Sequence, residues 1–209
     1  MAEKVNAIKN WLGNCSINIF GLPMSGKDTQ GLNLARLLGA KFVSSGEIIR
    51  QHEAEVHKSY TRQGNLAPTD VFYDLVMPYF SRADLADYPL ILSSIGRWSG
   101  EEDTVMATAS ANNHPIKVAI LLNISEADVE NRFTAAKTLG DRGERADDRN
   151  LETFRTRTAE FREKTMPVVE HYKELGLLLS VNGDQPRDLV FTEIVDGLYK
   201  IATAPGARF

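Results

Sequence analysis

The chain has 209 residues, 43% hydrophobic and 25% charged, with a formal net charge of −4. That composition fits one sizeable α/β core, excludes a disordered chain, and gives no overall field to draw in nucleic acid or acidic membrane. A single cysteine, Cys15, excludes an internal disulfide and a multi-cysteine zinc site, and reads as a small buried apolar residue in a reducing compartment.

Residues 2–12 carry Val5, Ile8 and Leu12 near one face of a short amphipathic helix closed by Gly13-Asn14, a decorating extension over 1–14. These residues lack the apolar centre of a signal peptide and no later run reaches bilayer-spanning length, so a cytoplasmic protein without a membrane partner is expected. Ser16 to Phe20 reads as a strand ending in Gly21, and Leu32, Leu34, Leu37 and Leu38 resume with helical spacing. A short strand at 41–43, helices over 46–58 and 69–81, and a polar turn around Gly64-Asn65 follow. The compact apolar runs 89–92 and 117–122 read as parallel strands buried on both faces. A helix over 126–134, a Gly/Arg/Asp-rich loop over 139–148, a long helix to about 175, a strand over 177–181 and a helix after Pro186 complete the chain. Strands alternating with helices imply a doubly wound parallel sheet, an α/β three-layer sandwich.

Gly21-Leu22-Pro23-Met24-Ser25-Gly26-Lys27 has Gly-x4-Gly-Lys spacing between a strand and a helix. Backbone N–H groups of such a P-loop converge on phosphate oxygens, the helix N-terminus adds partial positive charge, and Lys27 reaches the outer phosphates. Asp28 stands where the generic motif has Ser or Thr, and Thr29 comes one place later.

Gly21 to Gln30 resembles the loop of the adenylate kinase family, Gly-x-Pro-x-x-Gly-Lys-Gly-Thr-Gln, apart from Met24 and Asp28. Ser44 to Arg50 is similar to the family's Ser-Thr-Gly-Asp-Leu-Leu-Arg, and Gly64-Asn65-Leu66-Ala67-Pro68 to its Gly-x-Leu-Val-Pro. Gly96-Arg97 stands where the family has Pro-Arg. Arg145-Ala146-Asp147-Asp148, Arg157 with Phe161, Thr165-Met166-Pro167 and Val181-Asn182-Gly183 follow in family order, so the resemblance spans about residues 15–197.

It implies a single domain over 15–209: a core of 15–43, 82–134 and 149–209, a helical nucleoside-monophosphate-binding insertion over 44–81 and a short lid over 135–148 without the zinc-bearing cysteines. It implies Mg²⁺-assisted phosphoryl transfer from ATP to a nucleoside monophosphate, AMP foremost, by a protein read as a monomer with no nucleic-acid partner. Lys27, Arg97, Arg145 and Arg157 are the implied catalytic cations. Gly21, Met24, Ser25, Gly26, Lys27, Asp28, Thr29, Arg142 and Gln185 would hold ATP, with Thr29 toward the metal. Ser45, beside the base, and Arg50, on the phosphate, would hold the acceptor, with Asn65, Leu66, Ala67, Gly96, Arg97, Glu101, Arg145 and Arg157. Arg142 and Arg132 sit where the register slips. Converging cations suit phosphoryl transfer, whose loose transition state spreads charge over oxygens.

Two departures leave alternatives open. Ser93 replaces the family's strand-end Asp, a carboxylate that helps hold hydrated Mg²⁺; Asp28 either supplies the missing carboxylate or only favours the helix dipole. Glu101 stands where the family reads adenine with glutamine. As an acceptor-only group it would serve the adenine amino group or, better, guanine's two adjacent donors, unless Glu101-Glu102-Asp103 is a solvated helix start. GMP is therefore an alternative acceptor. A kinase of another small molecule, such as a sugar acid or shikimate, is disfavoured by the elements at 44–50 and 64–68, and a catalytically weakened nucleotide-binding regulator by the retained cations.

Overall fold

A computed structural model describes residues 1–61, 64–139 and 150–206. Five parallel strands, β1 (Ser16–Gly21), β2 (Lys41–Ser44), β3 (Leu90–Ser93), β4 (Ile116–Asn123) and β5 (Leu178–Asn182), pair in the order β2-β3-β1-β4-β5. Nine helices among the described residues connect and cover them: α1 (Ala2–Leu12), α2 (Lys27–Leu38), α3 (Ser45–Val56), α4 (Thr69–Val76), α5 (Glu101–Ala111), α6 (Glu126–Leu139), α7 (Leu151–Glu160), α8 (Met166–Glu174) and α9 (Arg187–Thr203).

The strand pleat sorts side chains into two cores, which makes three layers. Ile17, Ile19, Ile91 and Ile120 face α1, α2 and α9 through Ile8, Leu12, Leu34, Ile194 and Leu198. Phe20, Leu90, Leu92 and Ala119 turn to α5 and α8 through Val105, Val168, Val169 and Tyr172. Each such fully buried aliphatic side chain contributes about 1.5–3 kcal/mol relative to exposure. The helix read as a decoration thus reaches the core, since Ile8 and Leu12 are fully buried. Cys15 is only half-buried at the edge of that core.

Three elements differ from their sequence reading. The helix expected over 69–81 changes after Val76 to a 3-10 turn, Met77–Ser81, because Pro78 has no N–H for an α-helical bond. The helix from Glu126 continues to Leu139, into the first residues assigned to the lid. The long helix before residue 175 holds one π turn, Phe161–Thr165, in which Met166 N–H donates to the Phe161 carbonyl. The remaining lid residues, with Arg142 and Arg145, lie outside the described residues.

Candidate active site

The carboxyl ends of β1, β2 and β3 open into one cleft, where ligands bind in sheets of this type. About 890 Å³ of space lies within it, open solvent at its mouth included. Gly21, Pro23 and Lys27 line it beside Ser45, Arg50, Gly64, Asn65, Leu66, Ala67, Arg97, Glu101 and Arg157. Four cations from separate segments therefore meet in a chain whose overall charge is negative.

The loop after β1 is shaped by its glycines. Gly26 holds φ 90° as it caps α2, a conformation L side chains rarely adopt. Met24 takes φ 66° in the same loop, an uncommon strain for a side chain without a short polar group. Asp28, one residue into α2, accepts from the Ser93 hydroxyl at 2.6 Å. The carboxylate of the loop helix thus lies at the end of β3, against the serine that occupies the strand-end position.

The turn at 64–68 is clamped from two sides. Gly64 has φ 88°, and a Cβ there would lie 2.6 Å from the Thr153 carbonyl, so only glycine lets the turn rest on α7. Leu66 N–H donates to Glu160 at 3.0 Å, and the Ala67 carbonyl accepts from the Trp98 indole at 3.1 Å. Lys164 pairs with Glu160 and lies 4.1 Å above the Trp98 ring, which joins the two clamps.

The end of β3 is equally fixed. Buried Asn18 donates to the Ile95 carbonyl at 2.8 Å and accepts from Ile95 N–H at 3.2 Å. Arg97 Nε donates to the Ser94 carbonyl at 3.2 Å, aiming its guanidinium at Arg50. A Cβ on Gly46 would be 3.0 Å from Arg50 and 3.6 Å from Arg97, so both guanidinium groups crowd one point. Burial first, then the positive charges of Arg157 and Arg50, lower the Arg97 pKa to about 10, while Asp28 and Glu101 oppose them.

Glu101 is 3% exposed, so the solvated helix start fails there, and Glu102 is buried to the same degree. One oxygen of Glu101 accepts from the Thr69 hydroxyl at 2.7 Å; the other accepts from the N–H groups of Arg97 at 2.8 Å and Trp98 at 3.0 Å. Glu102 accepts from Gly100 N–H at 2.7 Å and from His171 Nδ1 at 2.9 Å. Both carboxylates satisfy backbone donors around the start of α5, and that work explains their burial.

The His171 contact predicts a pH dependence. The hydrogen bond to Glu102 raises the His171 pKa, helped by nearby Asp103 and Glu174. A raised folded-state value means that this stabilisation is complete below the unfolded pKa of about 6.5 and is lost as pH rises through the folded value. Melting temperatures between pH 5.5 and 8.5 should fall more steeply for the native protein than for His171→Gln. Parallel curves would show that the pair contributes nothing.

Ser45 lines the cleft, and its hydroxyl donates to the Ser94 carbonyl at 2.9 Å, tying α3 to the end of β3 and leaving it acceptor capacity toward the cleft. Gln185 is outside the cleft: its amide donates to the Asn182 carbonyl and the Glu193 carboxylate. Arg132, off the main set of sequence candidates, instead joins Gly183 to the P-loop, donating to the Gly183 carbonyl at 2.7 Å and the Ser25 carbonyl at 3.5 Å. Trp98 and Thr165 line the cleft without having been singled out as site residues. Thr165 follows Arg157 and Phe161 at four-residue spacing, a helical-face signal that could have found it.

A family profile described as adenylate kinase matches residues 19–177. The chain is 27% identical over 208 residues to an adenylate kinase of Lachnospira eligens, covering 86% of this chain and 97% of that protein. It is 29% identical to an adenylate kinase of Thermus thermophilus, covering 86% and 94%. It is 31% identical to one of Corynebacterium aurimucosum, covering 79% and 90%.

Proposed function

Because this chain belongs to the adenylate kinase family and is a phosphotransferase, we propose that it transfers the terminal phosphoryl group of ATP to AMP, forming two ADP. The observation that carries this reading is the meeting of Lys27, Arg50, Arg97 and Arg157 in one cleft. In the proposed reaction an oxygen of the AMP phosphate attacks the γ-phosphorus, the bond to the β-phosphate oxygen breaks, and ADP leaves with that electron pair. The P-loop N–H groups and Lys27 hold the outer phosphates of ATP, and Arg50 holds the acceptor phosphate. Arg97 and Arg157 meet the charge that spreads over the transferring group. Arg145 and Arg142 would join from the lid. Gly96, which precedes Arg97 with φ 76°, lets the loop turn.

Glu101 favours AMP over GMP. Its oxygens already accept three hydrogen bonds, two of them on one oxygen. A carboxylate offers about four acceptor sites, so one direction remains for the single amino group of adenine. Guanine's paired N1–H and N2–H donors need a free site on each oxygen.

The residues also suit Mg²⁺, which prefers hard oxygen donors and keeps several waters. Thr29 and Asp28 would hold the hydrated ion, with Ser93 orienting the Asp28 carboxylate. When bound, the ion would neutralise charge on the outer phosphates. No helix among the described residues is long and apolar enough to cross a membrane, and a cytoplasmic monomer acting on free nucleotides completes the proposal.

The test is purified protein with Mg-ATP and AMP, GMP, CMP, UMP or dTMP, following nucleoside diphosphate formation. AMP should be turned over at least tenfold faster than GMP, the value of one good hydrogen bond. Binding without turnover of any acceptor would sink the enzyme reading.

A further inference from the structure

At the end of the π turn one buried hydroxyl of the cleft has no partner among the described residues. A threonine inside a helix ordinarily donates to the carbonyl four residues back, as Thr156, Thr158, Thr192 and Thr203 all do, at 2.8 to 3.1 Å. Thr165 does not. Phe161, four residues before it, opens the π turn, and its carbonyl accepts from Met166 N–H; the Thr165 hydroxyl is fully buried with no hydrogen-bond partner among the described residues. Yet Thr165 lines the cleft. The other cleft hydroxyls are spent: Ser45 donates to the Ser94 carbonyl, Thr61 to Glu53, and Ser94 to the Ile19 carbonyl.

A buried hydroxyl without a partner costs stability and calls for an explanation. π turns also gather at functional sites. The base proposed for this cleft presents an amino donor flanked by ring-nitrogen acceptors. Glu101 can accept from the amino group but cannot donate to a ring nitrogen, and the Trp98 indole is used on Ala67.

We propose that Thr165 determines acceptor specificity, its hydroxyl donating to the ring nitrogen beside the amino group of adenine while Glu101 accepts from that amino group. This rests on the cleft being the AMP site. It makes the pair a two-part reader: Glu101 requires a donor on the base and Thr165 requires an adjacent acceptor. Guanine replaces the amino donor by the O6 carbonyl, which the Glu101 carboxylate repels, and where the nitrogen read is N1 it also presents N1–H in place of an acceptor.

The test compares the native protein with Thr165→Val, which keeps the shape and removes the hydroxyl, and with Thr165→Ser, which keeps the hydroxyl. Calorimetric affinities are measured for AMP, its 1-deaza and 7-deaza analogues, and ATP. The native protein and Thr165→Ser should bind AMP about tenfold more tightly than one of the two deaza analogues, the size of one neutral hydrogen bond. Thr165→Val should lose that discrimination, weaken AMP about tenfold and leave ATP unchanged. Its ligand-free melting temperature should rise by about 2–4 °C as the unpartnered hydroxyl is removed. Equal affinities of Thr165→Val and native protein for AMP, or an equal loss toward AMP and both analogues, would overturn the proposal while leaving the kinase reading intact. Failure of AMP to bind the native protein at all would instead sink the parent reading, and this one with it.

Discussion

Replacing Arg97 by methionine should lower kcat/KM for AMP by about 10³-fold, roughly 4 kcal/mol of transition-state stabilisation, and should also raise the melting temperature of the ligand-free protein. The two effects share one cause. Arg97 is held against the Ser94 carbonyl beside Arg50, with Arg157 near enough to repel it. Its folded-state pKa of about 10 lies below the ordinary guanidinium value, so the fold binds this proton less tightly than the unfolded chain. That destabilisation is fully present at every pH below about 10 and is relieved as pH rises from there toward the unfolded value. On the proposed reaction a substrate phosphate would remove the same penalty at neutral pH, and methionine would remove it permanently. Steady-state kinetics with thermal denaturation at pH 7.5 checks both halves. A loss under tenfold in kcat/KM, or a lower melting temperature, would contradict this role for Arg97.

The second large effect concerns Asp28 and Ser93. Asp28→Gly should raise the Mg²⁺ concentration needed for half-maximal ATP binding by about 10–100-fold, the usual cost of removing an outer carboxylate that orients a metal's ligands. Ser93→Asp alone would bring a second carboxylate to the place where the serine hydroxyl now lies 2.6 Å from Asp28. Two carboxylates that close cannot both ionise cheaply, so this variant should melt below the native protein. Combining Asp28→Gly with Ser93→Asp should recover both the melting temperature and the Mg²⁺ dependence, because one carboxylate again occupies the space. Mg²⁺ titrations of nucleotide affinity read the metal effect without turnover. If Asp28→Gly leaves Mg²⁺ dependence untouched, Asp28 serves only the helix dipole.

The features legible in the sequence are those encoded over short spans. Gly21 to Lys27 carries its own turn chemistry, and the apolar runs at 89–92 and 117–122 announce buried strands with ends correct to within a residue or two. The cleft cations could be named because each stands in a short motif that resembles the adenylate kinase pattern, and the motifs keep the family's order. Glu101 and Glu102 were harder: three acids opening a helix have the composition of a solvated N-terminus, whereas their burial comes from Thr69, His171 and backbone N–H groups that tertiary packing delivers. The π turn was hidden for the same reason, since Phe161 to Thr165 has ordinary helical composition. Gln185 illustrates the opposite limit. Its place in a motif suggested a nucleotide, and the structure adds that its amide donates to Glu193, eight residues on in α9, a contact that no sequence motif announces.

The most direct test of the central claim, that this cleft moves a phosphoryl group between two adenine nucleotides, starts from ADP and Mg²⁺ alone and follows nucleotides by phosphorus NMR. The account predicts ATP and AMP appearing in equal amounts until equilibrium, with no inorganic phosphate, and no conversion by Lys27→Ala. Unchanged ADP would contradict the claim, as would AMP formed together with free phosphate.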